Sequence, residues 1–83
     1  MSETEITQKV VTILSPYAKN AEALARVGAS SHILDDLKVN SARLVDVVLA
    51  FEDEFGIEIA DEEVDEVNTV GDAVRVISAK LAA

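Results

Sequence analysis

The sequence predicts an all-α fold: a small four-helix bundle, three longer helices and one short helix, with a long loop between the first and second. Three stretches place apolar residues at helical spacing, and each opens on a residue type suited to cap a helix. The only alternating segment, Ile57-Glu58-Ile59, has no partner strand in the chain. With 83 residues, nearly half of them apolar, residues 1–83 read as a single domain. A chain of this length buries roughly 60% of the surface it exposes when unfolded, enough for one core.

Ser2-x-x-Glu5 fits a capping box, after which Ile6, Val10, Ile13 and Tyr17 fall on one face and Val11 and Leu14 widen it. The spacing predicts a helix from about Thr4 that stops or kinks near Ser15-Pro16, because Pro16 lacks a donor and its ring would meet the Thr12 carbonyl. Tyr17, Ala21, Leu24 and Ala25 keep the periodicity and leave room for a further turn or two. From Val27 to Val39 the pattern lapses. Gly28, Ser30 and Ser31 are turn formers, and Ile33, Leu34 and Leu37 are expected to tuck back over the core. A loop this long in a compact domain usually has a functional reason. His32, the one histidine, reads as a surface residue.

Asn40 is a strong N-cap, opening a helix with Leu44, Val47, Val48, Phe51 and Phe55 inward and Gly56 as its left-handed stop. Val45 and Leu49 fall off that stripe among Asp46, Glu52 and Asp53, so the helix shows two apolar side chains ringed by carboxylates. That is what a docking surface looks like. Asp61 is expected to cap a short helix through about Glu66 that turns Val64 and Val67 inward. Thr69-x-x-Asp72 is a second capping box, opening a last helix with Val70, Ala73, Val74, Ile77 and Leu81 on one face.

The net charge is −9, and the signs are segregated. All seven basic residues lie outside positions 44–74, while eleven of the sixteen acidic ones lie inside. So acidic a half repels nucleic acid and anionic membrane and attracts basic protein surfaces, although a merely solubilising face fits the same pattern. No apolar run approaches the ~20 residues of a membrane span. The amino-terminal residues lack a basic region followed by an apolar stretch. A cytoplasmic monomer without membrane insertion is the expectation.

With no cysteine and one histidine, the inventory for nucleophilic or acid–base catalysis is thin, and no catalytic residue is assigned. The run Asp61-Glu62-Glu63-Val64-Asp65-Glu66 lacks the twelve-residue loop and central glycine of a dedicated calcium site, and no metal site is assigned either. What remains is Ser41 as an acceptor. On local grounds a serine beside an Asn cap also simply suits a helix start. An acidic helical interaction module without a prosthetic group is the alternative that these features leave open.

Asp36-Leu37-x-x-Asn40-Ser41, the run from Val45 to Ile59, then Asp61-Glu62-Glu63 and Thr69-Val70 together resemble the acyl carrier proteins of fatty-acid and polyketide synthesis. The resemblance implies a carrier, not an enzyme. In it a 4'-phosphopantetheine is attached covalently to Ser41 by a phosphopantetheinyl transferase, and acyl chains ride on the arm's thiol as thioesters, for delivery to fatty-acid, lipid or polyketide enzymes. It implies that Val45, Asp46, Leu49, Glu52 and Asp53 meet basic docking patches on partner enzymes. It also implies that Val47, Val48, Phe51, Ile59, Val64, Val67, Ala73 and Val76 shelter an acyl chain, with plain core packing as the other reading of that set. Four positions depart from the family's usual residues: Lys38 stands for Gly, Asn40 for Asp, Ala42 for Leu and Ala60 for Pro. Arg43 adds a positive charge where the family is neutral or acidic. These departures put a specialised carrier beside the housekeeping role.

Overall fold

The computed structural model describes residues 2–82. α1 (Glu3–Leu14) opens on the predicted box, the Glu5 N–H donating to Ser2 Oγ at 3.2 Å and the Ser2 N–H to the Glu5 carboxylate at 3.4 Å. It ends where Pro16 dictates. The Ser15 N–H still reaches the Val11 carbonyl, but those of Tyr17 and Ala18 both turn back to Leu14 and close the helix. The predicted further turn exists as a separate short helix, α2 (Ala21–Ala25), capped by Asn20, whose Oδ1 accepts the Ala23 N–H at 3.1 Å. The connection thus carries a fifth helix, and its irregular part begins after Ala25, close to where the helical pattern lapses in the sequence.

Residues 26–40 have little regular structure, but their backbone is anchored on both sides. Lys19 and Asn20 N–H groups donate to the Leu37 carbonyl, and Val39 N–H to Ile33. The Ile33 N–H donates to the Asn68 carbonyl, and the Val70 and Gly71 N–H groups reach back to Ser31 and Ala29. An isolated antiparallel bridge between His32 and Thr69 completes this seam. Ile33 and Leu37 are buried in the core as predicted, Val39 joins them, and Leu34 is 40% exposed and does not tuck in. Between two of these anchors Lys38 takes φ +59°, the left-handed region. A residue with a Cβ is disfavoured there by about 1–2 kcal/mol. Burying Leu37 and Val39 on either side is worth about 1.5–3 kcal/mol each, so the anchors win and the strain persists.

Asn40 caps the next turn, its Oδ1 accepting the Ala42 N–H at 2.8 Å. That turn, Ser41–Arg43, is of 3-10 type, and it feeds directly into α3 (Leu44–Phe55). α3 stops at Gly56, whose φ of 65° is the left-handed cap conformation. Residues 57–60 lie outside any helix or strand, so Ile57-Glu58-Ile59 forms no strand, as predicted. α4 (Asp61–Val64) is shorter than the predicted run through Glu66. Beyond Val64 the Glu66 and Val67 N–H groups bond three residues back instead of four, which tightens the chain and drops Val67 into the core. Its cap is Ala60 rather than Asp61. Lacking a side-chain acceptor, Ala60 offers its carbonyl to the Glu63 and Val64 N–H groups.

α5 (Val70–Ala82) opens on the second predicted box. Asp72 N–H donates to Thr69 Oγ1, while one Asp72 carboxylate oxygen accepts the N–H groups of both Thr69 and Asn68, all at 3.1 Å. α1 packs chiefly on α5 and next on α3. The shared core joins Ile6, Val10 and Leu14 to Val47, Phe51 and Phe55 and to Val70, Ala73, Val74 and Ile77. No polar or charged residue is buried among the described residues, so packing carries the fold. No described helix is long and apolar enough to cross a membrane.

Gly71 sits where the first turn of α5 meets the loop backbone, and a Cβ there would lie 2.9 Å from the Ala29 carbonyl oxygen. Gly71→Ala should therefore destabilise the fold by about 1–3 kcal/mol in denaturant titration. Gly28→Ala, with nothing within 4 Å of the added Cβ, should change it by no more than about 0.5 kcal/mol.

The backbone donors of Thr69 and Asn68 hold the Asp72 carboxyl below its ordinary value of 3.8, with the Arg75 guanidinium at 3.2 Å adding to the effect. A carboxyl lowered in the folded state contributes stability that is full above its unfolded pKa and is lost as pH falls through the folded one. Asp72→Asn should lower Tm by about 2–6 °C at neutral pH. The gap from wild type should narrow as pH falls below about 4 and close once Asp72 is protonated.

Candidate functional site: the Ser41 turn and the groove between α3 and α4

Ser41 is exposed at the head of the 3-10 turn, with exposed Asn40 and Ala42 on either side. Asn40 spends its side-chain oxygen on the Ala42 N–H and its carbonyl on the Arg43 N–H at 2.8 Å, which fixes the turn without using the serine. No hydrogen bond engages the Ser41 hydroxyl among the described residues. A phosphodiester at this oxygen would displace nothing. The small Ala42 leaves the approach open, and exposed Lys38, three residues before Ser41 and without an ion-pair partner among the described residues, adds a cation to the same turn region. The residues present therefore fit a phosphate-linked arm.

One turn past Ser41, α3 turns Val45 and Leu49 to solvent at 64% and 56% exposure, as the sequence predicts. Asp53 is exposed beyond them. Asp46 accepts an exposed ion pair from Arg43 at 3.2 Å. Glu52 differs from the sequence expectation of a free surface acid. Its carboxylate accepts the Ile59 N–H at 2.7 Å, tying the extended link back onto α3. Nothing in the sequence separates that internal role from an outward one.

A groove of about 150 Å³ opens between α3 and α4, lined by Val45, Val48, Leu49, Glu52, Ile59, Asp61 and Val64. It brings Val48, Ile59 and Val64 of the apolar set together with Val45, Leu49 and Glu52 of the surface set, so the two share walls. Val47, Phe51, Val67 and Ala73 are buried deeper, and Val76 is half-buried against the core. A broader groove of about 380 Å³ between α1 and α5 is lined by Thr7, Gly71, Val74 and Ser78 among others, and by none of the predicted site residues.

α4 forms the far wall and is clamped from below. The Glu63 carboxylate accepts the Ala60 N–H at 3.0 Å and meets Lys80 of α5 at 2.7 Å. Lys80 first, and the Ala60 N–H second, hold the Glu63 carboxyl below its ordinary value. A proline at position 60 has no N–H to offer, so the Ala60 departure creates a contact that the family's usual residue cannot make. No three of the His, Asp and Glu side chains converge so as to hold a metal ion among the described residues.

The chain is similar to known proteins over nearly its whole length. Residues 8–77 match the phosphopantetheine attachment site family. The acyl carrier protein of Petrotoga mobilis is 40% identical over 81 residues, covering 98% of this chain and 93% of the relative. That of Thermotoga maritima is 39% identical over 80 residues, 96% of each. A solved structure of the acyl carrier protein from Enterococcus faecalis superposes with a TM-score of 0.79 at 38% identity, over 96% of this chain and 99% of that one. A family match across most of the chain, full-length relatives near 40% identity and a shared helical fold leave one conclusion: this chain belongs to the acyl carrier proteins, which are carriers and not enzymes and bear a covalent 4'-phosphopantetheine.

Proposed function

We propose that Ser41 is the attachment residue, and that the chain presents acyl groups to biosynthetic enzymes that dock on the acidic face of α3. When bound, the prosthetic group supplies a thiol for thioester chemistry that this cysteine-free chain lacks. The observation that carries the reading is the placement of Ser41: an exposed, unengaged hydroxyl one turn ahead of Val45, inside the matched region. The chain's own residues do the presenting. Asn40 holds the turn, Val45 and Leu49 offer apolar contact, and Asp46 and Asp53 supply the charge that steers a basic partner. Val48, Ile59 and Val64 form an apolar recess beside that face in which an acyl chain can shelter. Membership of the family disfavours the alternative of an interaction module without a prosthetic group.

Incubated with coenzyme A and a promiscuous phosphopantetheinyl transferase, the protein should gain one arm by intact mass, and Ser41→Ala should gain none. An arm on the Ser41→Ala protein would move the site elsewhere. Leu49→Ser, at an exposed position, should leave stability within about 0.5 kcal/mol of wild type. The same change should lower kcat/KM for arm transfer on the order of tenfold. The transfer rate of the wild type should fall as salt is raised, because the steering charges are exposed.

A further inference from the structure

The cations beside Ser41 are not explained by the fold. Lys38 occupies a left-handed position that glycine would fill without strain, and its exposed ammonium meets no carboxylate among the described residues. Among the described residues Arg43 meets only Asp46, in a pair whose side chains are 66% and 46% exposed, and pairs of that kind exchange readily. Lys38 and Arg43 are also the only lysine and arginine between Val27 and Val74, and they flank Ser41 at three residues before and two after. The fold accounts for a left-handed backbone at position 38 but not for a lysine there, and a cation with no internal partner points to a role outside the apo chain.

We propose that Lys38 and Arg43 form a phosphate clamp. With the arm on Ser41, the Lys38 ammonium holds the phosphodiester anion, and the Arg43 guanidinium leaves Asp46 to share it. The inference rests on Ser41 being the attachment residue. A phosphodiester offers the planar donor fork of a guanidinium two anionic oxygens, as a carboxylate does, and this one would be held covalently two residues from Arg43. The clamp ties the near end of the arm to the 38–43 turn, and it releases Asp46 to the docking face. The loaded protein therefore presents one more free carboxylate beside Val45 and Leu49 than the unloaded one, a difference that a basic partner can read.

The test uses full-length wild type, the double variant Lys38→Asn/Arg43→Gln and the conservative Lys38→Arg, each loaded from coenzyme A by a promiscuous transferase. Asparagine tolerates the left-handed position, so the double variant removes charge and keeps the turn. In wild type, loading should shift the Arg43 Nε–H and Asp46 carboxyl resonances. The 31P signal should move, on raising sodium chloride from ~20 mM to ~500 mM, about twofold or more further than in the double variant. Lys38→Arg should retain the wild-type salt response. An unchanged Arg43 signal on loading, or equal 31P salt responses in wild type and double variant, would overturn the clamp. Failure to load, or an arm mapped to another residue, is seen first by intact mass and peptide mapping, and overturns the attachment reading instead.

Discussion

The site depends on the backbone seam between the 26–40 loop and the start of α5. Val70 and Gly71 donate to Ser31 and Ala29, and Ile33 donates to Asn68. The approach is close because Gly71 carries no side chain. Once that seam is set, Ile33, Leu37 and Val39 have only one place to go, and their burial forces the chain between them through a left-handed residue. Asn40 then leaves the loop at the geometry its cap requires, and Ser41 comes next at the helix head. A long connection would ordinarily be the mobile part of a small domain. Here it is fixed to two helices, so a residue at its end can be held at a defined place.

α3 carries two roles on adjacent faces, and the division follows from its period. Val47, Val48, Phe51 and Phe55 complete the core, while Val45 and Leu49, one position off, are left outside with the acids. Val48 and Glu52 stand at the boundary. Both line the groove, and Glu52 also fixes the Ile59 backbone. A partner that attracts the Glu52 carboxylate therefore competes with an internal hydrogen bond. Asp53, with no such tie among the described residues, offers its charge without that competition.

Much of this was legible in the sequence because it is local. Ser2 with Glu5, Asn40, Gly56, and Thr69 with Asp72 act within a turn or two of themselves, and each appears where the pattern places it. The inward stripes of the long helices are equally local, being set by the helical period. The misses are contacts between residues far apart in the chain. No periodicity announces that Gly71 must clear Ala29, that Glu63 of α4 meets Lys80 of α5, or that Leu34 stays outside while Leu37 is swallowed. The α4 boundary failed for a related reason: the acidic run favours a helix through Glu66, but burying Val67 requires the chain to tighten after Val64. At the site, the position of Ser41 was legible, whereas the internal bond of Glu52 was not.

The departures from the family's usual residues divide into those the fold answers and those it does not. Asn40 gives up a charge but keeps the cap, since an amide oxygen accepts the Ala42 N–H as a carboxylate would. Ala60 gives up a rigid ring but gains an N–H, which Glu63 takes while bridging to Lys80. Arg43 is met halfway, by a single exposed carboxylate. Lys38 and Ala42 have no answer among the described residues: the first is strained and unpaired there, and the second exposes only a methyl group. Replacements that are answered by a local contact are accounted for within the fold. The uncompensated ones sit on either side of Ser41, and their cause has to be sought in the arm proposed for that serine or in the surfaces that approach it.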